Sequence, residues 1–189
     1  MRILVTGASG FIGCKACPYL SSLGHEVTAF SRSSCNLSSD INIIKADSLL
    51  SIFSENKSSK AFDCVIHLAG PAHITRNINA AKTARYIKEN VDETLNFANK
   101  CAKANVKRFI FISSIKVNGE STISGIPFRE TDTPNPLDDY AISKYKIELG
   151  LFEIAKNSNM EIVIIRPPLM YGPGVKGYFG HLLGLIKNN

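Results

Sequence analysis

The 189-residue sequence predicts an α/β fold built on a doubly wound parallel sheet. Short apolar runs alternate along the chain with amphipathic stretches of helical period, an order typical of parallel strands joined by right-handed crossovers. The apolar runs are continuous rather than alternating, as in strands that are buried on both faces. A glycine-rich loop follows the first run directly. These observations together predict a sheet with helices on both faces.

Each predicted strand is a short, continuous apolar run, and each predicted helix is an amphipathic stretch between two such runs. The six predicted strands are Arg2–Thr6, Glu26–Ser31, Asn42–Lys45, Cys64–Leu68, Arg108–Ser113 and Glu161–Arg166. The predicted helices lie near Phe11–Leu23, Leu49–Ser54, Ala84–Ala104 and Asp139–Asn157. The stretch Glu120–Asp138 is rich in proline and polar residues and is predicted to be a long loop. Long loops in compact domains are often functional.

The composition is that of a folded domain without a nucleic-acid surface. Hydrophobic residues make up 44% of the chain and charged residues 20%, which is unlike a disordered chain. The net charge of +6 comes from 22 basic and 16 acidic residues. The basic residues are spread along the chain and form no dense block with aromatic residues, so we interpret them as solvated helix faces and expect no nucleic-acid partner.

The sequence predicts a cytoplasmic protein with no membrane partner. The N-terminal apolar run is too short for a signal peptide, and no stretch reaches the ~18 apolar residues of a membrane span. Four of the five cysteines lie inside predicted helices and strands, which fits reduced cytosolic thiols. Cys14 and Cys17 form a CxxC without a second Cys or His pair at zinc spacing, so no metal site is expected.

The glycine-rich loop TGASGFIG has the spacing GxxGxxG and lies between the first predicted strand and the first predicted helix. Gly7 permits a tight turn, Gly10 lets the backbone approach a pyrophosphate, and Gly13 allows close packing of helix against strand. The helix start that contains Phe11 and Ile12 offers free N–H groups and a positive dipole end to a phosphate. The loop therefore predicts a dinucleotide site in a Rossmann-type fold.

The residues after the second strand bear on the choice between NAD and NADP. A carboxylate for the ribose diol is usual there in NAD-binding folds, but this strand ends Ala-Phe-Ser-Arg-Ser. Arg32 and the neighbouring hydroxyls suit a 2′-phosphate, which favours NADP over NAD; alternatively, Arg32 is a solvated loop residue. Asp47, after the third strand, either accepts from the adenine amino group or caps the helix at Leu49.

Tyr140 and Lys144 form a YxxxK pattern at the start of a predicted helix. The i,i+4 spacing puts both side chains on one face, where the lysine cation is expected to lower the pKa of the phenol and to hold a cofactor ribose. Ser113 and Ser114 follow the fifth strand, at the edge of the sheet where ligands bind in doubly wound folds. A hydroxyl there can donate to a substrate oxygen on which charge develops during hydride transfer.

Six motifs in one order make the chain resemble the extended short-chain dehydrogenase/reductases of the nucleotide-sugar epimerase/dehydratase family. They are TGASGFIG, HLAG, NVDET, SSIKVNG, YAISK and RPPLMYGPG. The resemblance implies a catalytic triad of Ser114, Tyr140 and Lys144, with Ser114 preferred to Ser113 because of the VxG spacing that follows it.

The resemblance also implies cofactor-binding residues outside the glycine-rich loop. Leu68, Ala69 and Gly70 would line the cofactor channel, and Pro167 would lie at the nicotinamide end. Asn90 would bind a backbone kink or a water near the lysine; alternatively, it is a simple polar residue of a helix.

Departures from the family pattern narrow the expected reaction. Related 4,6-dehydratases carry Asp-Glu after the strand-end hydroxyl, whereas this chain has Ile115 and Lys116, so dehydration is not expected. Asn118 stands where tyrosine is frequent. The segment KVNG is most similar to the bacterial surface-polysaccharide branch, which includes UDP-sugar 4-epimerases and 4-keto-sugar reductases.

The expected function is therefore that of an NAD(P)-dependent nucleotide-sugar epimerase or 4-keto-sugar reductase, similar to UDP-glucose 4-epimerase, with hydride transfer at sugar C4. The expected substrate is a UDP-sugar. A homodimer through the helices near Ala84–Ala104 and Asp139–Asn157 is also implied. Residues 1–174 are predicted to form the NAD(P)-binding domain, and residues 175–189, with a helix from near Phe179, the start of a truncated substrate-binding subdomain. The alternatives are a non-catalytic dinucleotide-binding fragment and a reductase of a non-sugar ketone.

Overall fold

The computed structural model is described here for residues 1–53, 62–70 and 80–175, and for the backbone alone over residues 80–86. A six-stranded sheet, all of whose neighbouring strands are parallel, runs through it in the order β3-β2-β1-β4-β5-β6. The strands are β1 Arg2–Thr6, β2 Glu26–Ser31, β3 Asn42–Lys45, β4 Cys64–His67, β5 Arg108–Ile112 and β6 Glu161–Ile165. All six predicted strands are present, and three of them end one residue earlier than predicted, within the usual uncertainty of strand ends.

Three α-helices connect the strands: α1 Gly13–Ser22, α2 Ala80–Lys103 and α3 Asp139–Lys156. Asp138 caps α3, since its Oδ1 accepts a hydrogen bond of 2.7 Å from the N–H of Ala141. The segment after β3 is a 3₁₀ helix, Leu49–Phe53, rather than an α-helix, and Ser54 lies outside the described residues. A second 3₁₀ helix, Ile115–Val117, follows β5.

Apolar residues fill both faces of the sheet, as a doubly wound fold requires. On one face, Ile3 and Val5 of β1 belong to a buried cluster with Cys17 of α1. On the other face, Leu4 belongs to a larger cluster that includes residues of α2, α3 and the first 3₁₀ helix. Because successive strand side chains point to opposite faces, β1 supplies both cores. The predicted α/β fold with a doubly wound parallel sheet is confirmed.

The strand order places a crevice beside β1. The chain continues from β1 to β2 on one side, while β4 pairs with β1 on the other side. In open α/β sheets, ligands bind at such a switch point, beyond the carboxyl ends of the strands. The segment Glu120–Asp138 contains no helix or strand apart from one isolated bridge between Ile123 and Ile126, so the predicted long loop is present.

Three further predictions from the sequence concern the C-terminal residues, membrane-spanning helices and metal sites. The predicted subdomain at residues 175–189, with its helix from near Phe179, lies outside the described residues apart from Val175. Within the described part of the chain, no helix combines the length and the hydropathy needed to cross a bilayer. The same part of the chain holds no cluster of three or more His, Cys, Asp or Glu residues suited to a metal ion.

Candidate functional site

The glycine-rich loop is shaped by three close approaches of backbone. Gly7 has a φ of +69°, and a Cβ built on it would lie 2.7 Å from the amide nitrogen of Ala69. A Cβ on Gly13 would lie 2.4 Å from the carbonyl oxygen of Gly7. Gly13 therefore permits close packing of the helix start against the loop itself, and not against a strand as predicted. A Cβ on Gly10 would lie 3.1 Å from the Gly7 oxygen, which is also a tight contact, although Gly10 itself is exposed.

The start of α1 lies directly behind this loop. Ile12 occupies the N-cap position and makes no side-chain hydrogen bond to the helix. The ring of Phe11, which is partly buried, lies 3.8 Å from a Cβ built on Gly172. A helix start without a side-chain cap, beside the exposed Gly10, fits the pyrophosphate of a dinucleotide.

Three serine hydroxyls form a cluster where β2 ends beside the glycine-rich loop. Ser31 and Ser33 donate to the Oγ of Ser9 at 2.9 and 3.2 Å, and the N–H of Ser33 donates to the Oγ of Ser31 at 3.3 Å. Arg32 lies in the same segment with an exposed side chain. The neighbouring hydroxyls were anticipated from the sequence, but Ser9 was not, because its contact depends on how the loop folds against β2.

Asp47 is exposed after β3. The cap of the 3₁₀ helix at Leu49 is instead Ser48, whose Oγ accepts a hydrogen bond of 3.2 Å from the N–H of Leu50. The capping alternative for Asp47 is therefore wrong, because the 3₁₀ helix begins at Leu49 and its cap is the residue directly before it, Ser48. Its suggested contact with an adenine amino group stays a prediction.

A buried histidine orders the end of β4. The N–H of Ala69 donates to Thr6 Oγ1 at 3.3 Å, and Thr6 Oγ1 lies 2.9 Å from His67 Nδ1. We assign the Thr6 hydroxyl as the donor to Nδ1 of His67, so that Nδ1 carries no proton. The proton of the neutral imidazole is then on Nε2, which lies 3.5 Å from Thr94 Oγ1. Burial lowers the pKa of His67 to about 3, so the ring is neutral at ordinary pH.

The residues that follow His67 then reach the glycine-rich loop. A Cβ on Gly7 would lie 2.7 Å from the carbonyl carbon of Leu68, so Leu68 and Ala69 pass directly over Gly7. The structure thus brings the predicted channel residues against the predicted phosphate loop. The sequence analysis missed Thr6 and His67; the available signal was a polar residue at the end of each of two apolar runs.

Lys144 lies at the point where β4, β5 and α3 meet. Its Nζ donates to the carbonyl oxygen of Ile112 at 2.9 Å and lies 4.6 Å from the centre of the Phe111 ring. The same atom is 5.7 Å from the centre of the Tyr140 ring and 3.7 Å from a Cβ built on Gly70. The side chain is buried, and this burial lowers the pKa of Lys144 to about 8 against the opposing effect of Glu148.

The environment of Tyr140 differs from the sequence expectation. Burial raises the pKa of the phenol, the Asp138 carboxylate raises it further, and the Lys116 cation opposes them. The expected lowering by Lys144 is absent because the pKa of Lys144, about 8, makes this side chain lose its charge before the phenol ionises. In this state the phenol is a proton donor at neutral pH.

The two serines after β5 have different surroundings. Ser113 is buried, and its hydroxyl donates to Oε1 of Glu148, which is also buried. Ser114 is partly exposed, and its Oγ accepts a hydrogen bond of 3.3 Å from the N–H of Lys116. That contact leaves the Ser114 proton available to another acceptor, whereas the Ser113 proton is used inside the protein.

An ion pair between the buried Glu148 of α3 and the partly buried Arg166, which follows β6, supports this strand end. Arg166 donates from Nε and Nη2 to the two carboxylate oxygens of Glu148, at 3.0 and 2.5 Å. Its Nη1 donates to Asn118 Oδ1 at 3.0 Å. The N–H of Ile115 donates to the carbonyl oxygen of Pro167 at 3.0 Å, so Pro167 lies beside the segment of Ser114. The role of Glu148 was missed, since its partner is distant in sequence.

Most of the predicted site residues thus lie along one edge of the sheet, from the loop after β1 to Pro167. Arg32 and Asp47 are not part of these contacts, and their side chains are exposed. Asn90 lies within α2 and is partly buried, and its role stays a prediction.

The amino-acid sequence matches the model of a known protein family. The chain matches the NAD dependent epimerase/dehydratase family over residues 3–188. The chain belongs to this family. The resemblance carried by the six sequence motifs is thereby confirmed.

Relatives within the epimerase/dehydratase family include epimerases and a reductase. The chain is 39% identical to the UDP-glucose 4-epimerase of Vibrio cholerae over 98% of its own length and 56% of that protein. It is 29% identical to the GDP-6-deoxy-D-mannose reductase of Pseudomonas aeruginosa, over 94% of this chain and 55% of that one. The chain therefore spans little more than half the length of these relatives.

A solved structure of a family member has the same architecture. The UDP-glucuronic acid 4-epimerase from Bacillus cereus, in complex with NAD, is similar to the chain with a TM-score of 0.78 and 26% identity. The similarity covers all of this chain and 64% of that one.

Proposed function

We propose that this chain forms the dinucleotide-binding and catalytic part of an enzyme that acts at C4 of a nucleotide sugar, as an epimerase or a 4-keto-sugar reductase. The observation that carries the proposal is the position of Lys144. Its buried ammonium lies near the Tyr140 ring and Gly70, at the sheet edge that also holds the glycine-rich loop. A buried ammonium at this position is explained if it binds a cofactor ribose and lies beside a reacting phenol.

Each residue of the triad has a role that its surroundings support. Tyr140 exchanges a proton with the C4 oxygen, and its raised pKa keeps that proton available for donation to a keto group. Lys144 carries a positive charge below its pKa of about 8, and at neutral pH we propose that this charge holds the cofactor ribose and stabilises a phenolate that forms during the reaction. Ser114 donates its free proton to the same C4 oxygen and stabilises developing charge. The nicotinamide ring, when bound, supplies the acceptor or donor of the C4 hydride.

The residues present fit a nicotinamide dinucleotide. Gly10 is exposed just before the start of α1, where a pyrophosphate would bind, and it has no side chain to block the approach. The related B. cereus epimerase is a complex with NAD, and we propose that this chain binds NAD or NADP. The hydroxyls of Ser9, Ser31 and Ser33, together with Arg32, stand where a carboxylate would favour NAD, which supports NADP.

The substrate and the assembly are proposed on separate grounds. Relatives named for UDP-glucose and UDP-glucuronic acid support a UDP-sugar as the substrate.

A homodimer through α2 and α3 is supported by Leu149 and Phe152, which are 49% and 46% exposed on α3. Sedimentation of the wild-type chain as a monomer at all concentrations would contradict the dimer.

The test is the substitution Tyr140→Phe, which removes the hydroxyl and keeps the ring. We expect it to lower turnover of a UDP-sugar by at least about a hundredfold, the usual contribution of a positioned acid or base, while dinucleotide binding stays unchanged. Formation of the C4 epimer and net loss of NAD(P)H absorbance are followed in parallel, because an epimerase returns the hydride and a reductase consumes it. Tyr19→Phe, an exposed tyrosine on α1, is the matched control.

Two results would overturn parts of this proposal. Unchanged turnover in Tyr140→Phe would remove Tyr140 from the reaction. Dinucleotide binding without turnover in the wild-type chain would favour the second candidate, a non-catalytic dinucleotide-binding fragment. Titration of the same protein with both dinucleotides tests the cofactor, and tenfold tighter binding of NAD(H) would contradict the preference for NADP. Turnover of a non-sugar ketone alone would support the third alternative.

A further inference from the structure

The hydroxyls of Ser114 and Tyr140 are carried by two segments that are separated by a long loop. Ser114 lies on the turn after β5, and Tyr140 lies in the first turn of α3. The loop Glu120–Asp138, which contains no helix or strand, lies between them. The loop alone does not fix the distance between the two hydroxyls, so a contact between the two segments is needed.

An ion pair makes this connection. Nζ of Lys116, two residues after Ser114, lies 2.6 Å from Oδ2 of Asp138, two residues before Tyr140. Nζ also lies 3.1 Å from Oε1 of Glu120, at the start of the loop. The pair thus closes the loop at its base and joins the turn after β5 to the start of α3.

Each partner of the pair is also bound to the backbone of its own segment. The N–H of Lys116 donates to Oγ of Ser114 at 3.3 Å and so orients that hydroxyl. Oδ1 of Asp138 accepts from the N–H of Ala141 at 2.7 Å and so begins the helix turn that holds Tyr140. One chain of contacts therefore runs from the Ser114 hydroxyl through Lys116 and Asp138 to the first turn of α3.

The pair also sets the charge around Tyr140. The Asp138 carboxylate raises the pKa of Tyr140, and the Lys116 ammonium lowers it. Lys144, on α3 itself, is a second cation near the ring among the residues that the structure describes, at 5.7 Å from its centre. Glu120 is the remaining charged group of the cluster, and it faces Lys116.

We propose that Lys116 and Asp138 are positioning residues of the reaction, which hold the Ser114 and Tyr140 hydroxyls at one separation and balance the charge beside the phenol. The inference rests on the proposed function of Tyr140. Neither residue is assigned a step in the proposed reaction, and both side chains are about 40% exposed, at 42% and 41%. The pair therefore adds little to stability, and its contribution is expected in the reaction.

The experiment uses two variants that break the same pair with opposite charge effects. Lys116→Met leaves the Asp138 carboxylate without its partner, and Asp138→Asn removes that carboxylate while its amide oxygen still caps α3. We expect each to lower maximal turnover about threefold to tenfold through lost alignment. The titration midpoint of Tyr140 is expected to rise in Lys116→Met and to fall in Asp138→Asn.

Two readouts separate this proposal from the proposed function. The pH profile of turnover reports Tyr140 in the reaction, and NMR of ¹³C-labelled tyrosine, with the signal assigned through Tyr140→Phe, reports it without any substrate. Lys116→Arg is expected to restore both readouts. Lys156→Met is the matched control, because it breaks the exposed ion pair of Lys156 with Glu153, 2.7 Å apart, at the other end of α3.

The possible results lead to different conclusions. Shifts of the titration midpoint in the same direction in both variants, or variants that behave like Lys156→Met, would overturn the proposal and leave the role of Tyr140 intact. Unchanged turnover in Tyr140→Phe would overturn the proposed function, and opposite shifts in the NMR titration would still show the charge balance. Opposite shifts that shrink at high salt, with rescue by arginine, would support the inference.

Discussion

Gly7 combines two constraints at the turn after β1. Its φ of +69° lies in the left-handed region, and a side chain would also collide with the backbone of Leu68 and Ala69. Gly24, after α1, has a φ of +81° but meets no heavy atom within 4 Å. A side chain at Gly24 would therefore meet only the unfavourable backbone conformation, whereas a side chain at Gly7 would meet that conformation and a collision with backbone atoms.

Alanine substitution at these positions measures the difference. Gly24→Ala is expected to cost about 1 kcal/mol, the usual penalty for a left-handed residue with a Cβ. Gly7→Ala should cost about 2 kcal/mol more, because the collision forces β4 away from the loop. Urea unfolding of the two variants gives both values, and equal losses would show that the close approach of β4 is not rigid.

Single residues were predictable from the sequence where one local pattern determines them. The glycine spacing and the YxxxK pattern place Gly7, Gly13, Tyr140 and Lys144 without knowledge of the fold. The contact between Thr6 and His67 was not predictable, since it joins residues 61 positions apart in the sequence. The pKa of Tyr140 also depends on such contacts, and its predicted lowering was therefore in the wrong direction.

Helices α2 and α3 pack closely at one glycine. A Cβ on Gly150 of α3 would lie 2.5 Å from Cδ1 and 2.6 Å from Cδ2 of Leu95 on α2. Both atoms belong to the end of a flexible side chain, so the collision depends on whether Leu95 can move. Since α3 also carries Tyr140 and Lys144, the position of this helix matters to the site.

A double-mutant cycle tests this contact between helices. Gly150→Ala alone is expected to destabilise the protein by about 1–2 kcal/mol, because overpacking exceeds the gain of about 1 kcal/mol in helix propensity. In the background of Leu95→Ala, the same change should become neutral or stabilising. Thermal or urea unfolding measures both, and equal effects in the two backgrounds would show that Leu95 moves aside freely.

Helices and strands were predicted best where they are long or continuously apolar. All six strands were found because buried parallel strands are uninterrupted apolar runs. The segment Leu49–Phe53 was assigned the wrong helix type, since five residues contain too little periodicity to separate a 3₁₀ helix from an α-helix. The start of α2 at Ala80 was placed four residues too late, at Ala84.

The two cores on opposite faces of the sheet make stability a property of the whole molecule. His67 lies at the centre of the larger one, between Phe97 and Phe109, with ring centres 5.6 and 5.7 Å away. Its pKa of about 3 is far below the value of about 6.5 for an unfolded histidine. Between these values, the unfolded chain binds a proton that the folded chain does not, so stability falls as the pH decreases.

This linkage predicts an acid sensitivity that one substitution reduces. From about pH 6 to pH 4, His67 should contribute a loss of about 1.4 kcal/mol per pH unit. His67→Gln removes the titrating group, and the pH dependence of the free energy of unfolding should become shallower by that amount. His25→Gln is the histidine control, and an unchanged slope in His67→Gln would contradict the buried neutral state.

The parallel order of the sheet also has a consequence for how the chain folds as it is synthesised. No two neighbouring strands of the described sheet can form a hairpin, since every pair is parallel. During translation, β1 pairs first with β2, and its other edge stays open until the residues of β4 leave the ribosome. Such non-local pairing is slow and leaves an exposed strand edge. We therefore expect the growing chain to be prone to aggregation while this edge is open, and a chaperone that binds apolar strands would protect it during that interval.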